Sequence, residues 1–211
     1  VIVMDTAAAG GEIGTFVAID NVKASALDGE AAVELLDGKG KVAILEGITA
    51  QSTGRERLEG FRSVVDEYPD IEVVASLPGN WDKAEGLAVA EDILVSHPDV
   101  DLIYACNDMM ALGAVEAIRA AGKTGEIYVL GFDGVREALE AIKEGTMHGT
   151  SLQNPEVMSV WAMMSAIKVL EGEKLPERID TPLDWIDKTN VDKYLEPSPP
   201  VEDYMDMFPV K

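Results

Sequence analysis

Four short apolar runs in this chain end in glycine, cysteine or a loop. Each is followed, near the start of a helix, by a polar or aromatic residue able to meet a small molecule. Arg57 follows VAILEGITAQSTG, Trp81 follows EVVASLPGN, Asn107 follows LIYAC and Asp133 follows IYVLGF. The carboxylate of Asp133 can accept hydrogen bonds from hydroxyl groups. Asp also suits a helix N-cap, and one oxygen can serve each task. The Asn107 amide both donates and accepts, as a hydroxyl does. Asp108 directly precedes the helix and is the better cap candidate, which leaves Asn107 free. Arg55 and Arg57 lie near a helix start, where a cation is unfavourable against the macrodipole. A guanidinium fork on ligand oxygens gives Arg57 a reason to be there, whereas Arg55 suits a surface pair with Glu56 or Glu59. Trp81 offers a flat apolar face on which a ring can stack. Asp5, at the end of the first apolar run, and Gln153, at the end of a later extended segment, add two more polar groups, although Asp5 also suits a turn.

This is the chemistry of non-covalent recognition. His97 and His148 have no cysteine, histidine or aspartate at metal-ligand spacing, so no zinc site is expected. There is no Gly-x-x-x-x-Gly-Lys-Ser/Thr phosphate loop, no Gly-x-Gly-x-x-Gly after a strand and no Gly-x-Ser-x-Gly elbow. Asp5 and Asp133 form a glycosidase pair only in the sense of being two carboxylates. No cofactor and no catalysis are expected.

The elements that must position these residues alternate. Strands are expected at Val42–Leu45, Val73–Ser76, Leu102–Cys106 and Ile127–Phe132. Helices are expected from a capping box at Thr53–Glu56 to Pro69, over Asp82–Ser96, over Asp108–Ala121 and over Val135–Glu144. Alternation through residues 42–145 predicts an α/β fold, a parallel Rossmann-like sheet with helices on both faces. The strands' carboxyl ends then share one edge, where ligands bind in open α/β sheets. Upstream, Val1–Met4 and Thr15–Ile19 read as extended and Val22–Leu36 as a helix. Downstream come an extended His148–Gln153, a helix from Asn154-Pro155 to about Gly172, and an extended Ile179–Ile186. Tyr204, Met205, Met207 and Phe208 are apolar enough to dock, without a stated place.

With 47% hydrophobic residues among 211, a substantial core is expected. Seventeen basic against 39 acidic residues give a net charge of −22, which argues against a nucleic-acid surface. The single cysteine, Cys106, rules out an intrachain disulfide and reads as a buried small hydrophobe. No run of about 18 apolar residues suggests a membrane helix. Val1–Met4 lacks the basic flank of a signal peptide, and a chain that starts in a strand is expected to have something upstream.

Several motifs in order, Asp20-Asn21, Arg55-Glu56-Arg57-Leu58-Glu59-Gly60-Phe61, Asn80-Trp81-Asp82, Asn107-Asp108-Met109-Met110-Ala111 and Gly131-Phe132-Asp133-Gly134, resemble the periplasmic sugar-binding proteins of the ribose-binding type. The resemblance implies two Rossmann-like lobes joined by three crossings and closing on a monosaccharide, ribose or similar. It implies ABC import through a permease, or chemotaxis through a receptor, in the periplasm or outside the cell, with a lipid anchor as one form of the full-length precursor. It assigns the ligand's hydroxyls to Asp5, Arg57, Asn107, Asp133 and Gln153, and ring stacking to Trp81. It divides the chain into residues 1–20 (last strand of the N-terminal lobe and first crossing), 21–152 (C-terminal lobe), 153–175 (second crossing and a helix of the N-terminal lobe) and 176–211 (return segment and tail). Thr6 stands where that family commonly has arginine, so one set of charged hydrogen bonds bearing on pentose specificity is lost. Most of a first lobe is absent from the resemblance, which predicts weak or no binding by this chain alone and self-association through the incomplete lobe. The effector-sensing core of a LacI-type transcription regulator, or a purely structural role, remains as the alternative reading.

Overall fold

The computed structural model describes residues 1–210. Nine strands and eight helices among them follow the alternation in the sequence. Strands β1 (Ile2–Met4) and β2 (Thr15–Ala18) precede helix α1 (Asn21–Leu35). There follow β3 (Gly40–Glu46), α2 (Ser52–Val65), β4 (Ile71–Pro78), α3 (Lys83–Ser96), β5 (Leu102–Ala105), α4 (Asp108–Ala120), β6 (Tyr128–Asp133), α5 (Arg136–Glu144), β7 (Gly149–Leu152) and α6 (Pro155–Leu170). The chain ends with β8 (Arg178–Asp180), β9 (Asp184–Asp187), α7 (Val191–Leu195) and α8 (Val201–Asp206).

The strands form two sheets, of order β1-β2-β8 and β4-β3-β5-β6-β7-β9. All pairings are parallel except β7 with β9. The central strands of the larger sheet are buried on both faces, as their continuous apolar runs require. Val42–Leu45, Leu102–Ala105 and Val129–Leu130 form the middle of the core. Phe61 of α2 stacks on Tyr104 of β5 with centroids 3.9 Å apart.

Three features depart from the pattern expected. The capping box does not form: the N-cap position of α2 is Gln51, without a side-chain cap bond, and Thr53 is buried inside the helix. Gly54 seats the first turn directly on the Ile48 carbonyl, where a Cβ would lie 2.4 Å from the oxygen. Helix α2 also stops at Val65, short of Pro69. Finally, the extended stretch 179–186 is two strands in different sheets, because residues 181–183 carry the chain from β8 across to β9. Helices α7 and α8 had no clear sequence signal. The tail docks on α6: Trp161 donates its indole N–H to the Tyr204 carbonyl at 2.8 Å and meets Phe208 edge-on at 5.9 Å. Cys106 is buried, and burial pushes its thiol up to about 12.

A buried polar cluster lies between α1 and the sheet. Asp28, with no exposed surface, accepts from Ser151 Oγ at 2.5 Å while its Oδ2 has no partner, and Tyr104 donates to Ser25 Oγ at 3.1 Å. Burial pushes the Asp28 carboxyl up to about 8. An acid with a raised folded pKa contributes most below its unfolded value of 3.8, and that contribution is lost as pH rises towards about 8. Asp28→Asn removes this titration. The melting temperature of the variant relative to the parent should therefore climb by several degrees between about pH 4 and about pH 8. A constant difference across that range would mean that Asp28 does not titrate there.

Candidate functional site

Strand β3 is followed by β4 on one side and β5 is followed by β6 on the other, so the helices after β3 and β5 leave in opposite directions and open a crevice at the strands' carboxyl ends. A cleft of about 280 Å³ sits there. Asp5, Arg57, Trp81, Asn107, Asp133 and Gln153, which reach it from six different segments, all line it, together with Thr6, Gln51 and Thr53.

Arg57 is the hub. Buried on the first turns of α2, it donates from Nε to Asn21 Oδ1 at 3.0 Å and from Nη1 to the Cys106 carbonyl at 2.8 Å and Asp133 Oδ1 at 2.9 Å. Nη2 donates to Gln153 Oε1. The guanidinium lies 3.7 Å from the centroid of the Phe132 ring. Four of its five N–H groups are thereby engaged inside the protein, and one Nη2 hydrogen is left for the cleft. Arg55 points away. It donates to the carbonyls of Thr49 and Ala50, both at 3.0 Å, rather than pairing with Glu56 or Glu59. Those carbonyls lie in the loop before α2, so Arg55 staples the loop that carries Gln51.

The neighbouring strand ends correct two capping expectations. Asn107, not Asp108, caps α4: its Oδ1 accepts from Met110 N at 3.0 Å and its Nδ2 donates to the Trp81 carbonyl at 3.2 Å. Asp108 is already the first helical residue, and its carboxyl is turned inward to Thr150 and Val135. Asn107 keeps one N–H and one lone pair on Oδ1. Asp133 does not cap α5 either. The cap position is Val135, with no side-chain bond, and the Asp133 carboxyl faces Arg57 instead. Burial raises the pKa of Asp133; the Arg57 charge and hydrogen bond oppose this, and Asp5 adds to it.

Trp81 and Asn80 adopt consecutive positive φ angles of 67° and 51°. This bend lays the indole over Gly47, where a Cβ would lie 2.0 Å from the ring. The indole N–H donates to Gln51 Oε1 at 2.8 Å, so the ring is held at its edge and over its backbone-side face. On the crossing segments, Gln153 Nε2 donates to Asp5 Oδ1 at 2.9 Å and Thr6 Oγ1 donates to Asp5 Oδ2 at 2.9 Å. A continuous chain of hydrogen bonds therefore runs from Asp5 through Gln153 and Arg57 to Asp133.

Gln51, Thr6, Thr53 and Asn21 were not singled out as site residues from sequence. Gln51 shares a strand-to-helix loop with the approach to Arg57, and Thr6 follows Asp5, so position relative to a strand end was a usable signal for both. Asn21 stood in sequence only within the Asp20-Asn21 motif, and its link to the site is the tertiary approach of α1 to α2. The cleft offers carboxylate acceptors and N–H donors around one aromatic plane. No group of three or more histidine, cysteine, aspartate or glutamate side chains among the described residues is placed to hold a metal ion.

Residues 1–174 match the family model of the periplasmic binding protein domain. The chain is 39% identical over 183 residues to a ribose import binding protein of Haemophilus influenzae, covering 87% of this chain and 62% of that one. Among solved structures, it superposes with a TM-score of 0.87 and 34% identity on an ABC transporter periplasmic solute-binding protein of Actinobacillus succinogenes with bound D-allose, covering 92% of this chain and 70% of the other. A solute-binding protein of Bacillus halodurans with bound myo-inositol gives a TM-score of 0.87 at 30% identity, covering 92% and 68%. The chain spans about three fifths of the length of the curated relatives it matches. With the matched residues, the parallel sheet and the strand-end cleft in agreement, the chain belongs to the periplasmic binding protein family.

Proposed function

We propose that this chain forms one wall of a cleft that binds an uncharged monosaccharide or similar polyol, without catalysis, for ABC import. The observation that carries the reading is the pairing of acceptors and donors around a pinned indole. The carboxylates of Asp5 and Asp133 can accept from hydroxyl groups to which Arg57 and Asn107 donate, while Trp81 meets the apolar face of the ring. Hydroxyl groups both donate and accept, so a polyol satisfies both kinds of group at once, and an anion would face two carboxylates. The names of its relatives, which concern ribose, allose and xylitol, support the same ligand class. The small sheet β1-β2-β8 with α6 is read as part of an opposite lobe, the permease as the partner, and the periplasm as the location. No helix among the described residues is long and apolar enough to cross a membrane.

The test is a titration of the chain with D-ribose, D-allose and myo-inositol, followed by the NMR signals of the Trp81 indole N–H and the Arg57 side chain. A cleft walled on one side should bind weakly, with a Kd of about 1 mM or more. Asp133→Ala should abolish the response. Micromolar binding by the chain alone would overturn the one-wall reading, and unmoved signals with every sugar would overturn the sugar reading.

A further inference from the structure

Asp133 reaches the cleft from an unusual backbone conformation, and its carboxyl is engaged with Arg57 rather than with the neighbouring main chain. Its φ of 124° lies where L side chains are rarely found, and Gly134 follows at 75°. Such angles persist only where the surroundings over-determine them. Helix α5, which starts just beyond, has no side-chain cap of its own.

The restraint comes from two buried residues that do not line the cleft. Asp108, fully buried at the first position of α4, accepts the Val135 N–H at 2.8 Å through Oδ2 and the Thr150 hydroxyl at 2.8 Å through Oδ1. Thr150 Oγ1, on β7 and also fully buried, accepts the Gly134 N–H at 3.3 Å. The two amides that follow Asp133 are thus held from α4 and from β7. The Asp133 carbonyl accepts the Gln153 N–H at 3.0 Å, which holds the same bend from its other side. Strand β6 is shaped to admit the carboxyl group: a Cβ on Gly131 would lie 2.3 Å from Asp108 Oδ1. We infer that Asp108 and Thr150 are positioning residues for Asp133, fixing the bend that aims its carboxylate at Arg57 and at the ligand. Asp108 holds the N–H of Val135, the residue at the cap position of α5, and the Asp133 carboxyl is left to the cleft. The ligand part of this inference rests on the proposed sugar-binding reading; the Arg57 part does not.

Burial, reinforced by the Asp133 charge, pushes the Asp108 carboxyl well above the usual carboxylate range, so a neutral amide is a close substitute for it. This sets up the test. Asp108→Ala and Thr150→Val break the restraint by different routes, and Asp108→Asn keeps an oxygen for the Val135 N–H. In ligand-free protein, NMR exchange of the Arg57 side-chain N–H that faces Asp133 should speed up about tenfold in the Ala and Val variants and match the parent in the Asn variant. Where D-ribose binding is measurable, its Kd should rise about tenfold in the Ala and Val variants and recover in Asp108→Asn. A purely structural role would lower the melting temperature while leaving Arg57 exchange and the Asn rescue pattern unmoved. Unchanged Arg57 exchange in folded Thr150→Val would overturn the inference, whether or not Asp108→Ala folds. If neither parent nor variants respond to ribose, the sugar reading fails, and Arg57 exchange still decides the positioning role.

Discussion

Arg57→Met is expected to abolish sugar binding and to destabilise the chain by about 3–5 kcal/mol, the range for removing one partner of a buried ion pair. The substitution leaves the Asp133 carboxylate without its cation and removes a donor from Asn21 Oδ1, Gln153 Oε1 and the Cys106 carbonyl at once. Arg57→Lys should recover little, because an ammonium cannot reach four acceptors with the geometry of a planar fork. Adding Asp133→Leu to Arg57→Met should restore part of the lost stability and none of the binding, since it takes away the stranded charge. Urea denaturation of the two variants checks this. A loss below about 1 kcal/mol for Arg57→Met would show that the pair behaves like an exposed one and that Arg57 is not the hub.

The second large effect lies three residues further along the same helix. A Cβ on Gly60 would sit 2.2 Å from the Val22 carbonyl oxygen and 2.9 Å from its carbon, both main-chain atoms of α1. Main chain cannot rotate aside as a side chain can, so Gly60→Ala must push α1 and α2 apart. The expected cost is about 3 kcal/mol, at the upper end for overpacking and well beyond the helix-propensity gain of about 1 kcal/mol. Because Arg57 rides on α2 and bonds to Asn21 of α1, the same shift should weaken the site. Gly10→Ala, where a Cβ meets nothing within 4 Å, is the matched control and should leave the denaturation midpoint unchanged. An unchanged midpoint in Gly60→Ala would refute the close helix approach.

The alternation from residue 42 to 145 was legible because buried parallel strands read as apolar runs and the helices between them show helical spacing of apolar residues and stop signals such as Gly122 and Gly145. That frame was enough to bring Asp5, Arg57, Trp81, Asn107, Asp133 and Gln153 into one list, and the structure places all six around one cleft. The division of labour among them was not legible. Asn107 and Asp108 are adjacent and are both capping types, so local preference cannot say which one turns outward. Thr150, 42 residues away, decides it by donating to Asp108. The extended run at 179–186 hid a passage between sheets, because strand propensity carries no information about which edge a strand will join.

The sequence by itself determined the strand and helix order, the edge on which polar side chains gather, and through its motifs the family, because periodicity and strand-end position are local properties of the chain. Only the tertiary structure decided that Arg57 serves mainly as an internal hub, that Trp81 lies pinned between Gly47 and Gln51, and that Asp133 faces Arg57 while Asp108 of α4 holds the amide of Val135. Each of these depends on hydrogen bonds or contacts between residues dozens of positions apart. A buried polar group takes whichever partner packing brings within reach, and packing is a property of the whole fold.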